Sequence, residues 1–316
     1  MTDRAVSAAD ILAAYGIISP LVHRTPVITS RLIDEAAGRH CYFKCENLQK
    51  IGAFKFRGAS HAVARLSSEE AARGVCTHSS GNHAQALALA AAQKQIPAYI
   101  VMPETAPRVK VEAVLGYGAE ITFCQPTQAA RESTAREIVE RTGATFIHPY
   151  DNPHVIAGQG TAALELLEEY PDLDTIVVPV GGGGLAAGTC LAAHHVNPKL
   201  KIIAAEPAGA DDCFRSWQTG ERQPMVRPNT IADGLLTGVG ELTWPILQDH
   251  LSDVMTVTDA EIVAAMELFW TRAKLLIEPS GAVPLAAALS RNFPPESRSV
   301  GIILSGGNVD VRKLPF

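Results

Sequence analysis

The feature that most restricts this chain is an alternation: short β-branched or apolar runs are separated by longer Ala-, Leu- and Glu-rich segments. A strand followed by such a helical segment returns alongside itself in parallel, so repeated βαβ units build a parallel sheet covered by helices, the α/β class. The runs predict strands at Cys41–Cys45, Gly74–His78, Ala98–Met102, Glu120–Cys124, Thr145–His148, Thr175–Val180, Lys201–Ala205 and Gly301–Leu304, with helices filling the gaps. Thr258 followed by Glu261 fits a capping box and predicts a helix running to about Ile277. Four of the strands fall between Gly74 and His148, enough for a lobe of its own. Residues 74–148 therefore read as a small mobile domain inserted into a larger one made of 1–73 and 149–316, with the turn-forming Pro149-Tyr150-Asp151-Asn152-Pro153 as the return crossing.

Composition narrows the class of ligand. With 27 Lys and Arg against 33 Asp and Glu the formal charge is −6, and no basic run follows a phosphate backbone, so no nucleic-acid partner is expected. The most apolar stretches, Ala84 to Ala92 and Thr175 to Val180, fall far short of the roughly 20 residues that cross a bilayer. Met1 to Asp10, with Asp3, Arg4 and Asp10, lacks the pattern of a secretory signal, so a cytoplasmic protein is expected. Cys41, Cys45, Cys76, Cys124, Cys190 and Cys213 form no CxxC pair and read as reduced, mostly buried apolar residues.

The strand Thr175–Val180 runs straight into Gly181-Gly182-Gly183-Gly184 and then the helix former Leu185-Ala186-Ala187. Residues without side chains let several backbone N–H groups converge on an anion, and the following helix adds its positive end, so the loop predicts a phosphate site. Whose phosphate stays open. Gly181, Gly183 and Ala186 also satisfy the G-x-G-x-x-G/A dinucleotide pattern, with Glu206 near the end of the next strand, so a nicotinamide dehydrogenase is the rival reading. That rival gives no work to three further segments. In Phe54-Lys55-Phe56-Arg57-Gly58 a lysine stands between two phenylalanines, and desolvation against aromatic rings would disfavour its charge and suit it to Schiff-base chemistry. Ser79-Ser80-Gly81-Asn82-His83 opens a helix, where it is either a carboxylate site or an ordinary cap. Ser305-Gly306-Gly307-Asn308 follows a strand at the end where α/β ligands bind.

Taken in order, Lys55 in Phe-Lys-Phe-Arg-Gly, Ser79 to His83, the tetraglycine loop, Glu206 to Asp212, Glu278-Pro279-Ser280-Gly281 and Ser305 to Asn308 resemble the fold-type II pyridoxal-phosphate (PLP) enzymes over essentially the whole chain. The similar group is that of serine/threonine dehydratases, serine racemases and 3-hydroxyaspartate dehydratases. The resemblance implies a tryptophan synthase β-like fold of two lobes with the cofactor in the cleft. It implies that Lys55 bonds the cofactor, that Phe54 packs beside the ring, that Asn82 bonds the ring hydroxyl, that Gly181 to Gly184 cup the phosphate, that Glu278 belongs to the cofactor site and that Ser305 meets the pyridine nitrogen. A neutral hydroxyl there makes the ring a moderate electron sink, suited to expelling a β-hydroxyl rather than to transamination.

By the same resemblance Ser79, Ser80, Asn82, His83, Arg131 and Thr237 face the substrate. Lys55 takes the Cα proton on one face and Ser80 stands on the other, so loss of water and ammonia from serine, threonine or 3-hydroxyaspartate competes with racemisation. A dedicated racemase is the alternative. Glu206, Asp212 and the carbonyl of Ala210 correspond to a divalent-cation site, for Mg²⁺ or else Mn²⁺ or Ca²⁺, although on their own Asp211 and Asp212 would read as acids complementing a helix start. Only Val309 to Phe316 follow Asn308, so no C-terminal regulatory domain is expected, and a homodimer is. His148-Pro149-Tyr150-Asp151 departs from the pattern around the nucleotide contact of animal serine racemases, which leaves nucleotide regulation open.

Overall fold

The computed structural model describes residues 5–312 and 314; Asp3 and Arg4 of the N-terminal stretch lie outside them. Ten strands are present among the described residues: β1 (Val27–Ile28), β2 (His40–Cys45), β3 (Val75–His78), β4 (Ala98–Pro103), β5 (Glu120–Cys124), β6 (Thr145–Phe146), β7 (Thr175–Pro179), β8 (Lys201–Pro207), β9 (Asp253–Val257) and β10 (Ser299–Leu304). The helices are α1 (Ala8–Ile18), α2 (Arg31–Ala37), α3 (Lys55–Ala64), α4 (Ser68–Arg73), α5 (Asn82–Lys94), α6 (Arg108–Gly116), α7 (Gln128–Thr142), α8 (Pro153–Glu169), α9 (Gly184–Val196), α10 (Asp212–Thr219), α11 (Thr243–His250), α12 (Asp259–Ala273) and α13 (Pro279–Leu289).

The strands form two sheets. One has the order β1-β2-β10-β7-β8-β9 and the other β5-β4-β3-β6. Every pairing is parallel except β1 with β2. In β7 every residue from Thr175 to Pro179 is buried, as expected of an interior parallel strand covered on both faces. Two large apolar clusters flank the six-stranded sheet: Ile156, Leu166, Val178, Leu191 and Ile303 belong to one, Phe43, Val177, Phe269, Val283 and Ile302 to the other. Neighbours 177/178 and 302/303 divide between the clusters because successive strand side chains point to opposite faces. A third cluster, including Phe56, Leu87, Ile100 and Val114, joins α3 and α5 to the four-stranded sheet.

The eight expected strands are all present, with ends moved by a residue or two. Thr145–His148 shortens to Thr145–Phe146 because His148 turns its Nδ1 back to accept from the N–H of Asp151 at 2.9 Å, starting the turn instead of extending the strand. β1 and β9 were not anticipated. The first is two residues long, and the second is an edge strand whose partly exposed Met255 and Thr256 blur the apolar pattern. The capping box of α12 is formed by Thr258 and Glu261, but the helix stops at Ala273 rather than near Ile277, because Lys274 adopts a left-handed conformation (φ 61°) and returns its N–H to Trp270.

Candidate active site

The glycine loop follows β7 and leads into α9, whose N-cap is Gly183 with no side-chain cap, so the first-turn N–H groups are left to a ligand. Two of the four glycines show why nothing larger fits. A Cβ on Gly182 would lie 2.2 Å from Cγ of Tyr150, and Gly183 has φ +90°, a conformation L-residues rarely adopt, with Thr243 Oγ1 2.8 Å from its notional Cβ. Thr243 Oγ1 also donates to the carbonyl of Gly182 at 2.8 Å, so the loop is braced from α11.

Lys55 is the first residue of α3, and the N-cap of that helix, Phe54, makes no side-chain cap bond. Its Nζ lies 5.1 Å from the centre of the Phe54 ring and donates to the carbonyl of Pro149 at 2.7 Å. Burial pulls the amine from the usual lysine value down to about 8. Only one of the two flanking phenylalanines lies against it. Phe56 packs into the cluster with Leu87 and Ile100 and has the Nζ of Lys50, not Lys55, at 5.5 Å. Adjacent residues in a helix point about 100° apart, which a reading from sequence adjacency overlooks.

α5 likewise starts without a side-chain cap: Gly81 is the N-cap, so neither Ser80 nor Asn82 takes that part, and the Oγ of Ser79 accepts only from the N–H of Gly81 at 3.3 Å. Asn82 instead reaches across to the other sheet. Its amide donates to Glu278 Oε1 and accepts from Asn308 Nδ2, both at 2.9 Å. These bonds bring the loops after β3 and β10 together. Glu278 is pushed up to about 8, by burial first, and its other oxygen accepts from the N–H of Asn308 at 3.1 Å. Ser305 is buried, and its carbonyl accepts from the N–H of Phe54 at 3.0 Å, tying the end of β10 to the residue before the lysine. His83 is buried and held near 3, first by burial and then by the Lys55 charge; its Nε2 lies 3.2 Å from the carbonyl of Ile147, which assigns the proton to that nitrogen.

Arg131, in the first turn of α7, has a buried Nε without a hydrogen-bond partner, and its charge adds slightly to the burial that holds His78 below the usual histidine value. Thr237 is exposed and lies near Tyr150, whose phenol is raised mainly by burial, only partly offset by the Thr237 hydroxyl. Tyr150 and His148 were not foreseen as site residues. Tyr150 covers Gly182, and the neutral ring of His148, pulled to about 4 mainly by burial, sits 4.6 Å from the Tyr150 ring. Also unforeseen is a buried group of four charged residues, Lys44, Glu46, Arg57 and Glu165. The signal available was a charged residue embedded in an apolar run, as Glu165 is between Leu164 and Leu166.

Glu206 and Asp212 are fully buried. Glu206 accepts from the N–H of Phe214 at 2.5 Å and of Cys213 at 3.3 Å, while Asp212 Oδ2 accepts from Val239 N–H at 2.8 Å and its Oδ1 is buried without any partner. Burial pushes Glu206 up to about 9 and Asp212 to about 6. Ala210 is buried beside them in sequence, and Asp211 turns away to pair with Arg215. Among the described residues no three His, Cys, Asp or Glu side chains gather as a metal cluster, so two carboxylates would have to be completed by carbonyl and water oxygens. Two buried acids, one with an orphaned oxygen and neither in an ion pair among the described residues, suit such a cation.

Comparison with known proteins shows a family model described as "Pyridoxal-phosphate dependent enzyme" matching residues 18–306. A serine racemase of Dictyostelium discoideum is 51% identical, with 98% of this chain and 97% of that protein covered. A beta-hydroxyaspartate dehydratase of Paracoccus denitrificans is 48% identical over 97% of this chain and 98% of its own length. Among solved structures, the T.th. threonine deaminase superposes with a TM-score of 0.92 at 41% identity, covering 96% of this chain and 99% of that one.

Proposed function

The chain belongs to the pyridoxal-phosphate dependent enzymes, and from that premise we propose that it is an ammonia-lyase, removing water and then ammonia from a small β-hydroxy amino acid to leave a 2-oxo acid. The observation that carries this reading is Lys55: an amine held near 8, at the uncapped start of α3, hydrogen-bonded beside the residue that covers the glycine loop. When bound, PLP supplies an electron sink conjugated to the substrate nitrogen, which acidifies Cα. The residues of the chain then divide the remaining work.

Gly181 to Gly184 and the N-terminus of α9 would receive the phosphate, and Phe54, Asn82, Glu278 and Ser305 would line the ring. Ser79, Asn82 and the open N–H groups at the start of α5, the backbone N–H of His83 among them, would hold the α-carboxylate, since the His83 ring has its one proton on the Ile147 carbonyl. Lys55 Nζ, about half neutral near pH 8 because desolvation disfavours its charge, would take the Cα proton. Ser80 would stand on the opposite face, with Arg131 and Thr237 tuning which side chain is accepted. The dinucleotide reading of Gly181, Gly183 and Ala186 gives way to the family match.

Racemisation is the second reading, favoured by a serine racemase identical at 51% of positions, and it needs only that Ser80 return the proton to the other face. We further propose Mg²⁺ or a related divalent cation between Glu206, Asp212 and the Ala210 carbonyl. Residues 74–148 would be a mobile small lobe moving against 1–73 and 149–316, and the chain a cytoplasmic homodimer. Supporting the lobe is its own four-stranded sheet; the ion pair of Lys110 on α6 with Asp233 at 2.6 Å crosses between the two parts and would break when they separate. Supporting the compartment are six free, buried cysteines.

Borohydride reduction of the yellow holoenzyme should bleach the visible band and leave a mass adduct on Lys55. Product analysis with L-Ser, D-Ser, L-Thr and both 3-hydroxyaspartate diastereomers then separates lyase from racemase. A colourless protein, or an adduct on another lysine, refutes the assignment.

A further inference from the structure

The amine of Lys55 has a hydrogen bond to the carbonyl of Pro149, and beyond that its flexible stem leaves its position to be set by the helix that carries it. Two residues on, Arg57 is fully buried and uses every face of its guanidinium. Nε and Nη2 grip the two oxygens of Glu46, and Nη1 and Nη2 grip those of Glu165, all four bonds at 2.8 Å. Thr161 Oγ1 at 3.2 Å and the His23 carbonyl at 3.3 Å also accept from it. Lys44 Nζ closes the group on Glu165 at 2.6 Å, and Thr25 Oγ1 donates to Glu46 at 2.6 Å. Two cations and two anions balance, and the side chains are at most 1% exposed. The Arg57 and Lys44 charges, with the hydrogen bonds from Arg57 and Thr25, overcome burial and hold Glu46 below the usual carboxylate range.

Buried ion pairs are poor sources of stability compared with apolar residues of the same volume, so four such groups call for a reason other than stability. Doubly forked Arg–carboxylate bonds fix a plane and a direction as packing alone does not. They come from β2, the turn Glu46–Leu48, α3 and α8, which meet around Arg57, two residues along α3 from Lys55. α8 is also in backbone contact with its neighbours on both sides. A Cβ on Gly158 would lie 2.7 Å from Gly58 Cα in α3, and one on Gly188 in α9 would lie 2.6 Å from the Gly160 nitrogen. The N–H of Gly58 donates to Gln159 of α8 at 3.1 Å. One rigid helix thus touches both the helix that begins at Lys55 and the helix that begins in the glycine loop.

We propose that Arg57, locked to Glu46 and Glu165, is a positioning residue that sets where Lys55 stands relative to the glycine loop, with α8 as the spacer between them. The inference rests on the reading that Lys55 carries the cofactor. Arg57→Lys keeps the charge and loses the fork. The expected result in the cofactor-loaded variant is a visible circular dichroism band reduced to about half or less per bound cofactor, because the chromophore sits differently. In addition kcat falls by about 100-fold while KM stays within about threefold, since the carboxylate-binding segment lies on α5 and not on α3. Phe293→Leu, in a core cluster containing no residue of α3 or α8, serves as the comparison for a loss of thermal stability alone.

If Arg57→Lys loses stability yet keeps the visible band and kcat as Phe293→Leu does, the cluster only holds the fold together and the inference fails. Should Arg57→Lys not fold, Glu165→Gln, which keeps the shape and removes one fork, is measured against the same two outcomes. Borohydride mapping of the wild type separates the failures: an adduct away from Lys55 overturns the underlying reading and the inference with it, whereas an adduct on Lys55 with unchanged variant spectra overturns the inference alone.

Discussion

Lys55→Met should make the cofactor-free protein more stable at neutral pH. The fall of the Lys55 amine from the ordinary lysine value to about 8 has burial as its cause, with no carboxylate to offset it. At about 1.4 kcal/mol per pK unit this is a penalty of roughly 3 kcal/mol against the charged form in the folded state. The side chain is partly exposed and its hydrogen bond to Pro149 is lost on substitution, so about 1–2 kcal/mol should survive as a net gain. For a chain of this size that is a rise in Tm of about 2–6 °C. The sign with pH follows from a depressed folded-state value. Below about 8 the folded protein bears the whole penalty; from about 8 to about 10.5 the unfolded chain binds the extra proton, so wild-type stability recovers as pH rises. The assay is thermal unfolding of both cofactor-free proteins at intervals from about pH 7 to about pH 11, the range that brackets the two values. A variant no more stable than wild type at neutral pH, or a gap that does not narrow above about 8, refutes the account of Lys55 as a desolvated amine.

Ser80→Ala should abolish conversion between L- and D-serine and elimination from D-serine while leaving some elimination from an L-hydroxy amino acid, measured with PLP content checked by absorbance; racemisation at the wild-type rate would refute the two-face assignment. Chelation should lower Tm, with Mg²⁺ restoring it, and Asp212→Asn, which keeps an acceptor for Val239 N–H, should be indifferent to both; a wild type untouched by chelator removes the metal from the picture. Gly182→Ala places a Cβ inside the Tyr150 ring and should cost about 1–3 kcal/mol, seen as cofactor affinity weakened about tenfold or more in a spectroscopic titration; Tyr150→Ala in the same chain should recover much of it, and no coupling between the two would contradict the packing described.

Much of the architecture was legible because its causes are local. A continuous apolar run such as Thr175–Val180 has no good alternative to an interior strand, and four glycines after it leave backbone N–H groups with nothing but a ligand to meet. The order of Lys55, Ser79–His83, the glycine loop, Glu206–Asp212, Glu278–Gly281 and Ser305–Asn308 carried the resemblance to the enzyme class before any coordinates, and each segment sits where a parallel strand ends or a helix begins. The sequence by itself therefore determined the α/β class and the family.

Only the tertiary structure decided how those segments are held. Phe54 and Phe56 are equivalent in the sequence, yet one lies beside Lys55 and the other is buried in a different core. Tyr150 becomes the cover of Gly182, and Asn82 joins Glu278, 196 residues away. Lys44, Glu46, Arg57 and Glu165 look like ordinary surface charges until β2, α3 and α8 close over them, with Lys44 and Glu165 separated by 121 residues. Hydrophobic period and turn chemistry are set by neighbours along the chain, but desolvation, and with it the strength of every charge and hydrogen bond in the site, exists only once distant segments have excluded water together.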